Sequence, residues 1–221
     1  MRMKIISRMF SWIITLLIPL ALSFLGFRLV LTHAFLELEY HIPGFPVDGY
    51  GFTTQDRLHW SKISWDYLLN NSSISFLGDL TFPDGSALFN QRELSHMQDV
   101  KRVVQPALWI GYASCFLIIG IGVWARSGGW WQEYVRGIRR GGWLTAGIVA
   151  TIGLLAAISF WQFFTIFHKL FFSGDSWLFL YSDTLIRLFP LLFWEVAFLF
   201  PGLLVLLGGL ALGLCLQPKR K

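Results

Sequence analysis

Residues 10–32 read FSWIITLLIPLALSFLGFRLVLT, a run broken by one charged residue, Arg28. A helix rises 1.5 Å per residue, so about 20 apolar residues cross the roughly 30 Å of hydrocarbon in a bilayer. This run is long enough. Three more blocks match it: residues 103–124, through ALWIGYASCFLIIGIGVW, residues 143–172, and residues 190–216. Helices are the expected form, because backbone groups in lipid must be paired within the segment. Composition agrees. Of the 221 residues, 55% are hydrophobic and 14% are charged, whereas soluble domains carry about 25% charged residues. The expected fold is an all-α integral membrane protein. It has one membrane domain of four transmembrane helices and a mixed, partly helical extracytoplasmic loop domain.

Charge sets the orientation. Arg2, Lys4 and Arg8 precede the first block. Arg126, Arg136, Arg139 and Arg140 follow the second, and Lys219, Arg220 and Lys221 follow the fourth. These segments alternate with the loops at 33–102 and 173–189, and they hold ten basic residues against one acid, Glu133. The positive-inside rule puts both chain ends in the cytoplasm and both loops outside. The net charge of +5 is then a topology signal. No soluble segment carries a basic and aromatic stripe, so nucleic acid is not an expected partner. The first block has a basic start like a signal peptide. It is too long for an h-region and lacks a small-residue cleavage site, so it reads as a retained anchor. Cys115 and Cys215 lie inside apolar blocks, which suits neither a disulfide nor a thiolate site.

Polar chemistry collects in the 33–102 loop. YHIPGFPVDGYGF (residues 40–52) reads as turns. TTQDRLHWSKISWDYLL (residues 53–69) spaces Leu58, Ile63 and Tyr67 near a helical period, with Thr53 or Thr54 as cap. LTFPDGSALF (residues 80–89) predicts two short strands around Pro83-Asp84-Gly85-Ser86. In NQRELSHMQDVKRVV (residues 90–104), Asn90 and Glu93 have capping-box spacing, and the helix runs on into the second span.

His96 lies on that helix, three residues before Asp99, so the two share a face. A carboxylate there fixes an imidazole tautomer; a solvated boundary face is the plainer reading. His168 lies about 25 residues after Trp143, or roughly 38 Å of helix, at the same membrane boundary. An ionisable residue at the end of a span is a functional candidate. Together the two imidazoles suit acid/base work on a lipid-linked substrate. Two His and Asp99 are a weak zinc set, with no HExxH or close cluster, so no metal is expected. His33, His41 and His59 read as loop residues. Glu195 reads as interfacial and Pro201 as a kink in the last span.

These stretches resemble the lipoprotein intramolecular transacylase (Lit) family of bacterial membrane proteins. The resemblance rests on YHIPGFPVDGYGFTTQDRL (residues 40–58), on REL-x-HM-x-DVK (residues 92–101), and on FHKLFFSGDSWLF followed by DTLIRLFPLLFW (residues 167–194). It implies a reaction on diacylated bacterial lipoproteins in the bacterial cytoplasmic membrane. The sn-2 acyl chain of the diacylglyceryl group moves to the α-amino group of the same N-terminal Cys, giving the lyso form. Ester to amide is downhill, so no cofactor is needed. His96 and His168 would be catalytic. Lys101, Lys169, Trp177 or Arg28 would supply an oxyanion donor, and Asp99, Asp175 and Asp183 are candidates to orient the histidines. For Arg28 snorkelling is the alternative role; Trp177 and Trp194, with the many Phe residues near the outer boundary, read more plainly as an interfacial aromatic belt that could also line an acyl-chain groove. Two other functions stay open: an outer-leaflet lipid hydrolase, against which the lack of a G-x-S-x-G elbow speaks, and a non-catalytic subunit of a membrane complex.

The topology has a direct test. On a cysteine-free background, Ser73→Cys should react with a membrane-impermeant maleimide in intact cells, and Ser127→Cys should not. The reverse pattern overturns the orientation.

Overall fold

The computed structural model describes residues 2–172 and 174–216, with Arg2 and Met3 described as backbone only. Ser173 and the basic tail of Lys219, Arg220 and Lys221 lie outside the described residues. The helices are α1 (Arg2–Val30), α2 (His33–Tyr40), α3 (Thr54–Leu69), α4 (Ser75–Gly78), α5 (Gln91–Ser127), α6 (Trp131–Ile158), α7 (Phe160–Phe171), α8 (Thr184–Leu188) and α9 (Leu191–Cys215). Four segments are long and apolar enough to cross a membrane: Lys4–Val30, Gln91–Ser127, Trp131–Ile158 and Leu191–Cys215. Large apolar side chains face outward along them, such as Phe116 at 77% exposure, as a lipid-facing surface requires.

The chain forms two compact units. The first comprises Met1–Arg28, Ala107–Ile158 and Leu199–Lys221; the second comprises Leu29–Pro106 and Ser159–Phe198.

In the first unit, α6 meets its neighbours through glycine. In lipid there is no hydrophobic gain from helix association, so close backbone approach has to supply the contact. A Cβ on Gly137 would lie 2.5 Å from the Ser11 carbonyl of α1, and one on Gly141 would lie 2.6 Å from Ile18 Cβ. On the side facing α9, a Cβ on Gly142 would lie 2.6 Å from the Gly209 carbonyl and 2.8 Å from the Gly213 nitrogen. Polar side chains reinforce these contacts. Ser11 Oγ donates to the Glu133 carbonyl at 2.5 Å, and Arg139 Nε donates to the Gly213 carbonyl at 3.0 Å. Arg140 donates to Ser11 Oγ at 2.7 Å while lying over the Trp12 ring. Ile14, Ile18, Ile121, Ala125, Trp130 and Tyr134 fill the space between.

The second unit is built on an aromatic core. Trp65 of α3 stacks on Phe189 at 4.8 Å and meets Phe193 at 5.9 Å, and its indole donates to the Val30 carbonyl at 2.8 Å. Phe35 and Tyr40 of α2 cover the other side of Phe193. Thr53 and Asp56 close a reciprocal capping box at the start of α3. The turn-rich 42–53 segment is held by two arginines. Arg57 donates to the Pro46 and Arg187 carbonyls, and Arg187 pairs with the buried Asp48 at 3.0 Å.

Two expectations need correction. The strands expected across residues 80–89 reduce, among the described residues, to a single antiparallel bridge between Thr81 and Ala87. The turn itself forms, with Gly85 at φ +83° and the Ser86 nitrogen donating to Asp84. Beyond the bridge, the Leu80–Leu88 hydrogen bond closes the hairpin, and the Leu88 carbonyl then turns to accept from Thr184, so no ladder extends. The long block at 143–172 is also not one helix. α6 stops at Ile158, Ser159 is extended at φ −160°, and α7 starts afresh with Ser159 accepting from the Gln162 nitrogen. Pro201 lies inside α9 as expected, with Pro19 and Pro106 placed likewise in α1 and α5.

The glycine contacts predict a stability effect. Gly142→Ala should force α6 and α9 apart and destabilise the protein by about 1–3 kcal/mol. Gly147→Ala, where nothing lies within 4 Å of the added carbon, should be neutral. Thermal midpoints in detergent micelles check both.

Candidate active site

The site is assembled in the second unit from α5, α7 and the segment between α7 and α8. Asn90 caps α5: its side chain accepts from the Glu93 nitrogen at 3.1 Å, and Glu93 accepts from the Asn90 nitrogen at 2.7 Å. The second oxygen of Glu93 accepts from the Leu185 nitrogen at 2.7 Å, at the start of α8. Glu93 is 1% exposed. Its neighbours extend the join. Asn90 donates to Asp183 at 3.0 Å, Arg92 donates to the Leu178 carbonyl at 3.2 Å, and Thr184 donates to the Leu88 carbonyl at 2.5 Å. The segment carrying Trp177 and Phe179 is thereby fastened to the first turns of α5.

One turn beyond Glu93, His96 points into the unit at 8% exposure. His168 of α7 is equally covered. The two rings lie 6.1 Å apart with planes 19° from parallel. Aromatic side chains wall them in. Phe172 is 4.9 Å from His96 and 5.6 Å from His168; Phe179 is 5.3 Å from His96; Phe164 is 4.0 Å and Trp177 4.8 Å from His168.

The two imidazoles are not equivalent. His168 Nδ1 is 2.8 Å from the Phe164 carbonyl, which can only accept. Nδ1 therefore carries a proton, and in the neutral ring the lone pair is on Nε2. Burial pushes the His168 pKa below the ordinary imidazole value, with the Phe164 bond opposing. Its neutral form is accordingly favoured at neutral pH. His96 Nδ1 is buried with no hydrogen-bond partner.

The other sequence candidates separate clearly. Trp177 is 7% exposed, lies against His168, and has no acceptor for its indole nitrogen. Asp99 pairs with Arg102 at 2.9 Å, and His96 Nδ1 has no hydrogen-bond partner. Lys101 donates to Asn70 Oδ1 at 3.1 Å and to the Ser72 carbonyl at 2.7 Å, with its ammonium 3.9 Å from the Tyr67 ring. It thus holds the segment that follows α3. Asp183 accepts from Asn90 and from the Leu180 nitrogen, which makes it a brace for the loop. Asp175 and Lys169 are exposed, and Arg28 belongs to the first unit. His33 pairs with Asp66, and His41 with the Glu37 carbonyl, as loop and helix-end residues. Among the described residues no group of three His, Cys, Asp or Glu side chains is placed to hold a metal.

Sequence reading missed two buried carboxylates. Glu93 looked only like a cap, since its bond to Leu185 joins residues 92 positions apart. Glu39 is 1% exposed on α2, both its oxygens lack partners, and burial pushes its pKa up to about 8. The alternation HAFLELEY gives no reason to prefer Glu39 over Glu37, yet Glu37 is the one that pairs with Lys62 at the surface.

The family profile described as Lipoprotein intramolecular transacylase Lit matches residues 9–194, a stretch that includes both histidines. The chain belongs to the Lit family. A relative from Aquifex aeolicus (strain VF5), described as an uncharacterized protein, is 26% identical over 212 residues, covering 92% of this chain and 91% of its own. The fold is similar to that of the membrane-integral Lit of Bacillus cereus, at TM-score 0.65 and 21% identity over 94% of this chain and 92% of that one. A histidine-to-alanine variant of the same protein matches at TM-score 0.70 and 20% identity, covering 95% and 91%. This Lit-family chain is thus a membrane protein of a transacylase family, with its helices arranged as in a solved member.

The proximity of the dyad is testable without substrate. With Cys115 and Cys215 replaced by Ala, His96→Cys combined with His168→Cys should be bridged by a short bis-methanethiosulfonate, protecting α5 and α7 from separation after a protease cut between them. Absence of bridging in folded protein would overturn the arrangement.

Proposed function

We propose that this protein moves the sn-2 acyl chain of a diacylglyceryl lipoprotein to the α-amino group of its own N-terminal Cys. The site would face the extracytoplasmic side of the bacterial cytoplasmic membrane, with both chain ends inside. The observation that carries the reading is the pair of buried imidazoles 6.1 Å apart in a chain of the Lit family.

The chemistry follows from the two rings. His168, with Nδ1–H held by the Phe164 carbonyl, presents the Nε2 lone pair as base. The substrate amine reacts in its neutral form, which is well populated because its ordinary pKa is about 7.7–8.0, and Nε2 takes one N–H proton as that nitrogen attacks. The nitrogen attacks the ester carbonyl, the C–N bond forms, and the carbonyl electrons move to oxygen. On collapse the C–O bond breaks, and the proton that His168 took from the nitrogen passes by way of His96 to the departing glyceryl oxygen, leaving both rings as they began. The product is an amide and a free sn-2 hydroxyl. Amine and ester belong to one molecule, so holding them in contact removes much of the entropic barrier. The wall of Phe164, Phe172, Trp177 and Phe179 keeps water from competing with the amine, which favours transfer over hydrolysis. Cys115 and Cys215 are free thiols inside apolar helices, and no acyl-enzyme on either enters the scheme.

His96→Ala and His168→Ala should each lose roughly a hundredfold or more in rate, the scale of general acid/base help. Cys115→Ala with Cys215→Ala should keep activity. The assay uses extracted membranes and a diacylated lipoprotein, with loss of the free α-amine read by mass spectrometry. Conversion by both His variants at the parent rate would refute the dyad. A folded double Cys variant that is inactive would favour a thioester route, and release of free fatty acid would favour a hydrolase.

A further inference from the structure

We propose that the indole N–H of Trp177 is the donor that receives the negative charge developing on the acyl carbonyl oxygen. The inference rests on the transacylase reading above and adds the group that stabilises its tetrahedral intermediate.

An indole nitrogen can only donate. Buried donors are almost always paired, so an unpaired one asks for an acceptor. Trp177 is 7% exposed, its ring is 4.8 Å from His168 at a tilt of 34°, and its nitrogen has no partner. The vacancy is not isolated. Thr165 Oγ1, one turn before His168 on α7, is buried without a partner, as are Ser176 Oγ beside Trp177 and His96 Nδ1. Unpaired polar atoms therefore gather on the residues that flank the two imidazoles. A polar ligand that supplies acceptors and donors there accounts for all of them at once, and the ester and amine of the substrate are such a ligand.

The competing donors are spent. Lys101 is committed to Asn70 and Ser72 at the end of α3. Lys169 follows His168 directly, so its side chain leaves α7 about 100° away from the imidazole, and it is exposed. Arg28 is engaged in an interaction of its own. A neutral donor also fits an aromatic enclosure better than a cation does, since no charge has to be desolvated. Its bond is modest to the ester oxygen and strengthens as that oxygen becomes an oxyanion, so it acts on the transition state rather than on ground-state binding. The N–H proton stays on the indole throughout. As the amine attacks, the carbonyl π electrons go to oxygen; as the C–O bond breaks, they return.

The test replaces Trp177 with β-(3-benzothienyl)alanine, which keeps the ring shape and puts sulfur where the N–H was. The parent, this isostere and His168→Ala are assayed side by side on a diacylated lipoprotein in detergent. The isostere should lose roughly 100- to 1,000-fold in kcat, the usual effect of removing one oxyanion donor, with KM and thermal midpoint unchanged. Unchanged kcat in the isostere, with His168→Ala inactive, overturns the role of Trp177 and leaves the dyad standing. A rate loss accompanied by a lowered midpoint assigns Trp177 a packing role and also overturns it. Full activity of His168→Ala refutes the transacylase dyad itself and this inference with it.

Discussion

A single buried carboxylate holds the candidate site together. Glu93 accepts from the backbone of its own helix start at Asn90 and from the start of α8 at Leu185. Each such bond contributes about 0.5–1.5 kcal/mol, and the Glu93 side chain is shielded from water. His96 sits one turn along the same helix, and Phe179 and Trp177 sit on the segment that Glu93 pins. Without this join the aromatic wall and the first imidazole would have no common reference. The surrounding bonds, Asn90 to Asp183, Arg92 to Leu178 and Thr184 to Leu88, turn one contact into a seam.

Around that seam the chemistry separates by solvation. His96 and His168 are enclosed by rings, whereas the charged candidates nearby have partners of their own. Lys101 holds the segment that follows α3, Asp99 pairs with Arg102, and Asp183 braces its loop. A site for aminolysis of an ester gains from such a division. The base must be neutral and the competing nucleophile, water, must be scarce, while the charges that fix the scaffold are paired with one another or with backbone carbonyls.

Much of this was legible in the sequence where the signal was local or periodic. Four apolar runs announce four long helices, because hydropathy integrates over about 20 residues and tolerates interruptions such as Arg28. The Asn90–Glu93 pair and Thr53 announce helix starts through one-turn spacing. His96 and His168 stood out as a pair through their places beside two apolar runs and through the resemblance at HM-x-DVK and FHK-x-FF, although counting helix from Trp143 assumed a continuity that Ser159 breaks. What escaped notice depends on long-range contacts. Nothing at Asp99 warns that it prefers Arg102 to His96, both being one turn away. The break at Ser159 is invisible to hydropathy, since the residues on both sides are equally apolar. The hairpin at residues 80–89 has strand-like composition, yet Leu88 spends its carbonyl on Thr184, which lies 96 positions away. Glu39 and Glu37 alternate identically, and only packing decides which is buried.

Glu39 makes the second unit a proton-holding structure. Its pKa is raised from an ordinary 4.5 to about 8, so the folded chain keeps that proton where an unfolded chain has released it. A raised carboxylate is at no disadvantage below 4.5. Between 4.5 and about 8 this carboxyl holds more proton in the folded chain than in the unfolded one, and its contribution to stability falls as pH rises, by at most about 1.4 kcal/mol per pH unit. Most folds loosen first in acid, where paired carboxylates lose their charge. Here an unpartnered one works in the opposite sense, and the packing around α2 weakens as that carboxyl gives up its proton near pH 8.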